Sequence, residues 1–217
     1  MNNLAPFTRA TQRMLPVILL ADVSGSMDGE KIALLNRAVR EMLETFRDDR
    51  TARAEIHVSV ITFGGVATVH QPLAPAREVN WVNMNVSGNT PLGAALELAE
   101  SLIENKDALP SNAYRPTIIL VSDGYPNDSW ELVLDRFNAG RRTGKTQRLA
   151  MAIGSDADEG MLRRFLNGGE EPLFRAGDAS QIAEFFRYVS QSVATRSRAA
   201  DPNKLPQIPR PADMDEF

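Results

Sequence analysis

The chain contains no cysteine among its 217 residues. This absence excludes disulfide bonds, thiolate metal sites and cysteine nucleophiles. A surplus of positive charge is also missing, since the formal net charge is -4 and the isoelectric point is near 5.3. A protein that binds nucleic acid or a membrane surface through bulk charge needs a basic face. We therefore expect neither of these partners.

Long hydrophobic segments are absent as well. The first 13 residues are polar and lack the apolar core of a signal peptide. The most apolar run, at residues 15–21, is far shorter than the roughly 20 residues that span a bilayer. We expect a cytoplasmic protein whose 43% hydrophobic residues bury one core. The predicted organisation is an N-terminal extension at 1–13, one domain at 14–197 and a proline-rich acidic tail at 198–217.

What the chain does contain is a regular alternation of strand-like and helix-like patterns. Apolar or alternating runs predict strands at 15–21, 56–61, 66–70, 116–122 and 149–153. Apolar residues at helical spacing predict helices from near Asp28, which we place near the first helix cap, and at 91–103, 129–138, 159–166 and 179–193. Gly64-Gly65 predicts a hairpin that forms an antiparallel edge. The fold class is therefore α/β, with a doubly wound, mostly parallel sheet and helices on both faces.

Oxygen-bearing side chains flank three of these predicted elements. Asp22, Ser24 and Ser26 come directly after the first strand, Thr90 precedes a helix, and Asp123 follows the strand at 116–122. Ligands of such sheets bind beyond the carboxyl ends of the strands, so we expect these side chains to meet there. Two carboxylates and three hydroxyls suit a hard cation such as Mg2+. Mn2+ and Ca2+ accept the same ligands.

Each of these residues also has a purely structural explanation. Thr90 before Pro91 is typical of a helix cap, Asp123-Gly124 of a turn, and Asp22 with Ser24 of a loop that satisfies its own backbone. Taken singly, these explanations are favoured. Taken together, in this order and at these strand ends, the residues favour a metal site.

The three segments resemble the metal-ion-dependent adhesion site (MIDAS) of von Willebrand factor type A (VWA) domains. The motif Asp22-x-Ser24-x-Ser26, the Gly-Asn-Thr90-Pro-Leu-Gly segment and the Val-Ser-Asp123-Gly segment fill all five ligand positions, and the likeness extends over residues 15–192. It implies a Rossmann-like VWA fold in which the two serines and Thr90 bind the metal directly. The aspartates would act partly through water. The open metal position would take an acidic side chain from a partner protein.

Within that family, residues 13–27 are most similar to bacterial TerY-type proteins associated with tellurite resistance. This resemblance implies a stress-response setting with kinase-like or phosphatase-like partners. VWA domains are mostly noncatalytic, so we expect a binding module and not an enzyme.

Two other functions remain open at this stage. One is a phosphatase with Asp22 as nucleophile and Mg2+ as electrophile. Against it, Ser24 stands where phosphatases of the haloacid dehalogenase type carry an acid–base carboxylate, and no lysine near the motif is expected to hold a phosphate. The other is a structural domain that binds no metal.

The remaining motifs carry weaker signals. Gly144-Lys145-Thr146 imitates the end of a phosphate loop but leads into a strand, so it indicates a basic turn. His57 and His70 lie in predicted strands without ligand spacing, which favours strand positions over catalysis. Trp81 and Tyr125 are equally compatible with packing and with the rim of the site.

The acidic end of the chain raises one further hypothesis. Asp213, Asp215, Glu216 and the terminal carboxylate lie on a proline-rich tether. Its composition favours a disordered, solvated tail. At about 3.1 Å per residue the tether is also long enough to bring a carboxylate to the metal site, where it would compete with a partner.

Overall fold

The computed structural model describes residues 12–169, 171–206 and 208–209. The predictions for residues 1–11 and for the acidic end at 210–217 lie outside these residues. Six strands run at Met14–Asp22 (β1), Glu55–Gly64 (β2), Val66–Pro75 (β3), Thr117–Ser122 (β4), Gln147–Ile153 (β5) and Leu173–Ala176 (β6). Five α-helices run at Glu30–Asp48 (α1), Leu92–Glu104 (α2), Trp130–Ala139 (α3), Glu159–Leu166 (α4) and Ala179–Arg198 (α5).

The strands form one sheet in the order β3-β2-β1-β4-β5-β6. All neighbours are parallel except β2 and β3, which form the predicted antiparallel hairpin at one edge. The predicted α/β fold class is thereby confirmed. Because β1 lies between β2 and β4, the chain builds outward on one side of β1 and then on the other. The topological switch point therefore lies between the carboxyl ends of β1 and β4.

Both faces of the sheet are covered by helices. Along β1, Leu19 contributes to one apolar cluster and Leu20 to the other, as the period of two in a strand requires. The first cluster includes residues of α1 and α5, and the second includes residues of α2, α3 and α4. Burial on both faces explains why residues 15–21 are continuously apolar.

Several details differ from the sequence predictions, among them β3, which continues to Pro75 beyond the predicted 70. Strand β6 was not predicted, because four residues are too few to show a period. Asp28 does not cap α1, since the N-cap position is Gly29 with φ of 81° and no side-chain cap. Helix α5 continues to Arg198, beyond the predicted 193.

The ends of the predicted domain make contacts across its boundaries. The Arg13 carbonyl accepts a hydrogen bond from the Glu55 amide at 2.9 Å. Beyond α5, Pro202 is buried, and the Asn203 side chain accepts a hydrogen bond from the Arg115 amide at 2.8 Å. The first residues of the predicted tail therefore pack against the domain. None of the helices in the described residues has the length and apolar character needed to cross a bilayer.

Candidate metal site

Backbone hydrogen bonds tie together the three loops that carry the predicted site residues. The Gly25 amide donates to the Gly88 carbonyl at 3.0 Å, which joins the first loop to the second. The Asn127 amide donates to the Thr90 carbonyl at 3.1 Å, which joins the second loop to the third. The convergence of these loops at the switch point, predicted from the strand ends, is present in the structure.

Two glycines allow the loops to approach this closely. A Cβ at Gly64, the last residue of β2, would lie 2.5 Å from the Val23 carbonyl oxygen. Gly88 has a φ of +54°, and a Cβ there would lie 2.6 Å from the Cα of Gly65. A larger residue at Gly64 would push β2 away from the first loop, and one at Gly88 would push the second loop away from the turn between β2 and β3.

Four of the five predicted ligands form one hydrogen-bonded cluster. The Oγ atoms of Ser24 and Ser26 lie 3.1 Å apart, and Ser26 Oγ donates to Asp123 Oδ1 at 2.6 Å. The Ser24 amide donates to Asp22 Oδ1 at 2.9 Å. Ser122 Oγ, which the sequence analysis did not single out, donates to Asp22 Oδ2 at 2.6 Å. The cluster thus links the carboxyl ends of β1 and β4.

The two carboxylates of the cluster are removed from solvent. Asp22 is 0% exposed and Asp123 is 1% exposed. Burial raises the pKa of the Asp22 carboxyl above its usual range, while hydrogen bonds from Ser122 and Ser24 act in the opposite direction. The nearby Asp123 carboxylate raises the pKa of Asp22 further. A cation beside the cluster would offset this cost of burying negative charge.

Thr90, the fifth predicted ligand, lies on the second loop and is 7% exposed. Its hydroxyl makes no hydrogen bond to any residue that the structure describes. The start of α2 is instead capped by Asp128, whose carboxylate accepts from the amides of Gly93 and Ala94 at 3.0 and 3.1 Å. Because Pro91 holds the N-cap position without a side-chain cap, the helix-cap explanation of Thr90 is wrong.

A lysine also lies at the site, contrary to the sequence-based expectation. Lys31 Nζ donates to Asp123 Oδ2 at 2.6 Å and to the Ser26 carbonyl at 3.3 Å. Lys31 is in the first turn of α1, five residues after Ser26, so its position directly after the motif was the available signal. An ammonium has three donors, which leaves one for a ligand. Two carboxylates and one ammonium give the cluster a formal net charge of -1.

The donor set fits a hard divalent cation. Mg2+ takes oxygen ligands at about 2.0–2.1 Å in octahedral geometry, which places adjacent ligands about 3 Å apart. The 3.1 Å between the hydroxyls of Ser24 and Ser26 matches this spacing. Among the described residues there is no group of three or more His, Cys, Asp or Glu that could hold a metal. A metal at this edge therefore depends on the hydroxyls as well as on the two carboxylates.

The two histidines and Trp81 lie in or beside the β2–β3 hairpin and make their contacts there. Trp81 packs against His70 with ring centroids 5.2 Å apart. His57 lies in β2, where its Nε2 is 2.9 Å from the Glu55 carboxylate. Both histidines occupy strands, as predicted. Tyr125 follows Asp123 by two residues and is 68% exposed, so it is available at the rim.

Comparison with known proteins decides the family. A model of the von Willebrand factor type A domain matches residues 17–187. The chain belongs to the VWA family. Members of this family are metal-binding modules for protein interaction.

Individual relatives share the fold at low sequence identity. The VWA domain is 31% identical over 146 residues to the magnesium-chelatase 60 kDa subunit of Rhodobacter capsulatus, a match that covers 65% of this chain and 24% of that subunit. A von Willebrand factor type A structure from Catenulispora acidiphila has a TM-score of 0.64 at 20% identity, covering 83% of this chain and 42% of that one. Proximal thread matrix protein 1 from the mussel byssus, with a zinc-occupied MIDAS motif, has a TM-score of 0.62 at 16% identity, covering 84% and 46%. The chain thus spans about a quarter to a half of the length of these three relatives.

Proposed function

We propose that this VWA domain is a noncatalytic protein-binding module that depends on a divalent metal. Asp22, Ser24, Ser26, Thr90 and Asp123 would hold the ion, and Mg2+ is the metal that we expect, with Mn2+ or Ca2+ as alternatives. The observation that carries the proposal is the pair of serine hydroxyls at the switch point, which lie 3.1 Å apart and of which the Ser26 hydroxyl donates to Asp123. The zinc-occupied MIDAS of the mussel protein supports a divalent ion at such a site.

In this proposal some residues of the cluster bind the metal directly and others hold the ligands in position. The hydroxyls of Ser24, Ser26 and Thr90 are the direct ligands in this proposal. Asp22 fixes the loop by accepting from the Ser24 amide and from Ser122, and Asp123 accepts from Ser26. Each aspartate retains lone pairs for a water on the metal. When bound, the metal supplies an electrophilic position for an oxygen of the partner.

The charge of the site favours an acidic partner. One net negative charge on the cluster leaves a bound divalent ion with net positive charge. A carboxylate from the partner would neutralise it. The remaining donor of Lys31, whose side chain is 37% exposed, adds a second contact for the same carboxylate.

The burial of Asp22 favours a binding role over hydrolysis. A nucleophile must reach the phosphorus atom of its substrate. Asp22 is 0% exposed and both of its carboxylate oxygens accept hydrogen bonds within the chain. The phosphatase alternative therefore requires a rearrangement that the binding module does not.

The proposal also extends to the biological system in which the module acts. The TerY-type resemblance leads us to propose kinase-like or phosphatase-like partners in a tellurite-resistance or stress-response system of the cytoplasm. The identity of 31% with a magnesium-chelatase subunit favours a second setting, in which the module binds a neighbouring subunit of a larger assembly.

A pull-down from lysate tests the module and its alternatives together. The full chain is used as bait in Mg2+ or in EDTA, beside Asp22→Asn as the site variant and Arg50→Gln as an exposed control. We expect a protein captured by the parent and by the control in Mg2+ but lost in EDTA and with Asp22→Asn. Capture that is equal in Mg2+ and EDTA would contradict the metal-dependent module. Mg2+-dependent hydrolysis of a simple phosphomonoester, lost in Asp22→Asn, would establish the phosphatase instead.

A further inference from the structure

A cleft with several basic residues in its lining lies at the opposite edge of the sheet, beside the amino ends of β4 and β5. Its volume is about 290 Å3. Four basic residues, Arg115, Arg141, Arg142 and Lys145, contribute to its lining together with Asn203, and no acidic residue does. The length of β4 separates this cleft from the metal site, so the two are distinct.

The cations of this cleft are not neutralised within the described part of the chain. None of the four forms an ion pair with a carboxylate there. Arg115, Arg141 and Lys145 are exposed, and no described residue accepts a hydrogen bond from their side chains. Arg142 donates through Nη2 to the Leu109 carbonyl at 2.6 Å, but its Nη1 is buried without a partner. The cleft therefore holds several unused donors in a chain whose net charge is negative.

A buried cation behind the cleft adds to this positive charge. Arg196 is 0% exposed, and its guanidinium donates only to neutral acceptors, one of which is the Arg115 carbonyl at 2.7 Å. Burial lowers the pKa of Arg196 to about 10, and the charge of Arg115 lowers it in the same direction. Positive charge is thus accumulated at this edge, where the Glu104 carboxylate accepts a hydrogen bond from the Arg142 amide at 3.1 Å but forms no ion pair with these basic side chains.

We propose that this cleft binds a small phosphate-class dianion, either free phosphate or the phosphoryl group of a phosphomonoester. Guanidinium groups match the oxygens of phosphate in pairs, and a lysine contributes a point charge. A phosphoryl group carries about -1.5 to -2 charge at pH 7, which suits several cations better than a single carboxylate does. The volume lies at the lower limit of pockets for drug-sized ligands, which favours a small anion over a nucleotide.

The basic turn at residues 144–146 contributes to the proposed phosphate site. Residues Thr143–Lys145 form a short 3-10 helix and not a phosphate loop. Its amides at Gly144 and Lys145 are used within the turn region, since they donate to the carbonyls of Gly140 and Arg142. The turn therefore contributes the Lys145 side chain, and not a backbone cradle, to the cleft.

Calorimetric titration in EDTA tests this site without involving the metal site. Inorganic phosphate and the phosphomonoester N-acetyl-O-phosphoserine amide are titrated separately into the full chain, with acetate at matched ionic strength as the control for charge alone. The variants are Arg141→Gln and Lys145→Gln, whose side chains form no hydrogen bond or ion pair with a described residue. Arg50→Gln serves as the matched control, because Arg50 is an exposed arginine outside the cleft.

We expect saturable binding of at least one phosphate probe and none of acetate. Each cleft variant should weaken phosphate binding roughly fivefold. This is the change in affinity that corresponds to the loss of one interaction between unit charges at about 4 Å in water. Arg50→Gln should leave the affinity unchanged, and added salt should reduce it. Preference between the two probes would identify the source of the phosphoryl group. No saturable binding, equal binding of acetate, or binding that survives both cleft variants would overturn the proposal.

Discussion

The two edges of the sheet both bury charge, but they satisfy it differently. At the amino edge, the Arg196 guanidinium donates to the side chains of Thr117 and Gln147 and to the carbonyls of Pro202 and Arg115. These bonds connect α5 to β4, to β5 and to the segment beyond α5. All of these acceptors belong to the chain itself, so the role of Arg196 is to stabilise the fold.

The buried carboxylates of the carboxyl edge are satisfied less completely than Arg196 is. Asp22 and Asp123 are buried, only Asp123 is paired with an ammonium, that of Lys31, and the Thr90 hydroxyl has no partner among the described residues. Ser26 is exposed although its hydroxyl belongs to the cluster. The comparison teaches that burial of charge alone does not identify a functional site. Polar atoms that remain unused beside the buried charge are the better indication.

The largest expected effect is the loss of stability on removing the Arg196 guanidinium at the amino edge. Arg196→Met should lower the free energy of unfolding by about 3 kcal/mol, because several buried acceptors lose their donor at 1–3 kcal/mol each. Urea unfolding measures this loss, and calorimetry on the folded variant should give an unchanged Mg2+ affinity. A loss below about 1 kcal/mol, or a changed metal affinity, would remove the distinction between the structural role of Arg196 and the metal-binding role of the carboxyl-edge cluster.

A pair of matched variants sharpens the comparison at the carboxyl edge. Thr90→Val deletes a hydroxyl that makes no hydrogen bond to described residues, whereas Thr143→Val deletes one that donates to the Phe137 carbonyl at 2.7 Å. We expect Thr90→Val to weaken Mg2+ binding at least tenfold, about 1.4 kcal/mol, with little change in stability. Thr143→Val should do the reverse, at a cost of about 1 kcal/mol in unfolding.

Calorimetry and thermal melts of both variants provide the readout. A loss of stability in Thr90→Val with unchanged metal affinity would return Thr90 to a structural role.

The smallest expected effect concerns Lys31. Lys31→Met should tighten Mg2+ binding roughly fivefold, because an ammonium about 4 Å from a divalent ion repels it by about 2 kcal/mol in water, which screening by physiological salt reduces to about 1 kcal/mol. The same variant should weaken metal-dependent capture of an acidic partner. Weaker Mg2+ binding would indicate that Lys31 serves mainly to orient Asp123, which accepts its hydrogen bond at 2.6 Å.

The fold could be predicted because its main signals are local. The continuous apolar run in β1 and the helical period in α1 depend on which faces are buried, and each pattern is long enough to show its period. Strand β6 has only four residues after Gly168, Gly169 and Pro172, so its pattern carried no such signal.

For the site, the sequence allowed prediction only of those residues whose type and position at the end of a strand indicate a ligand. That reasoning placed Asp22 and Asp123 at one edge. It missed Lys31 and Asp128, because their partners lie 92 and 34 to 35 residues away and are chosen by the packing of loops. Asp128 resembles a cap for α3 in sequence but serves α2, which only the tertiary arrangement decides.

The central claim is that the carboxyl edge binds a divalent metal, and Asp22→Asn tests it most directly. The asparagine keeps the shape of Asp22 and can still accept from the Ser24 amide, but it removes the buried charge. Calorimetric titration with Mg2+ should show saturable binding of one ion to the parent and none to the variant, while both unfold cooperatively. Equal Mg2+ affinity in the parent and in a folded Asp22→Asn variant would contradict the account.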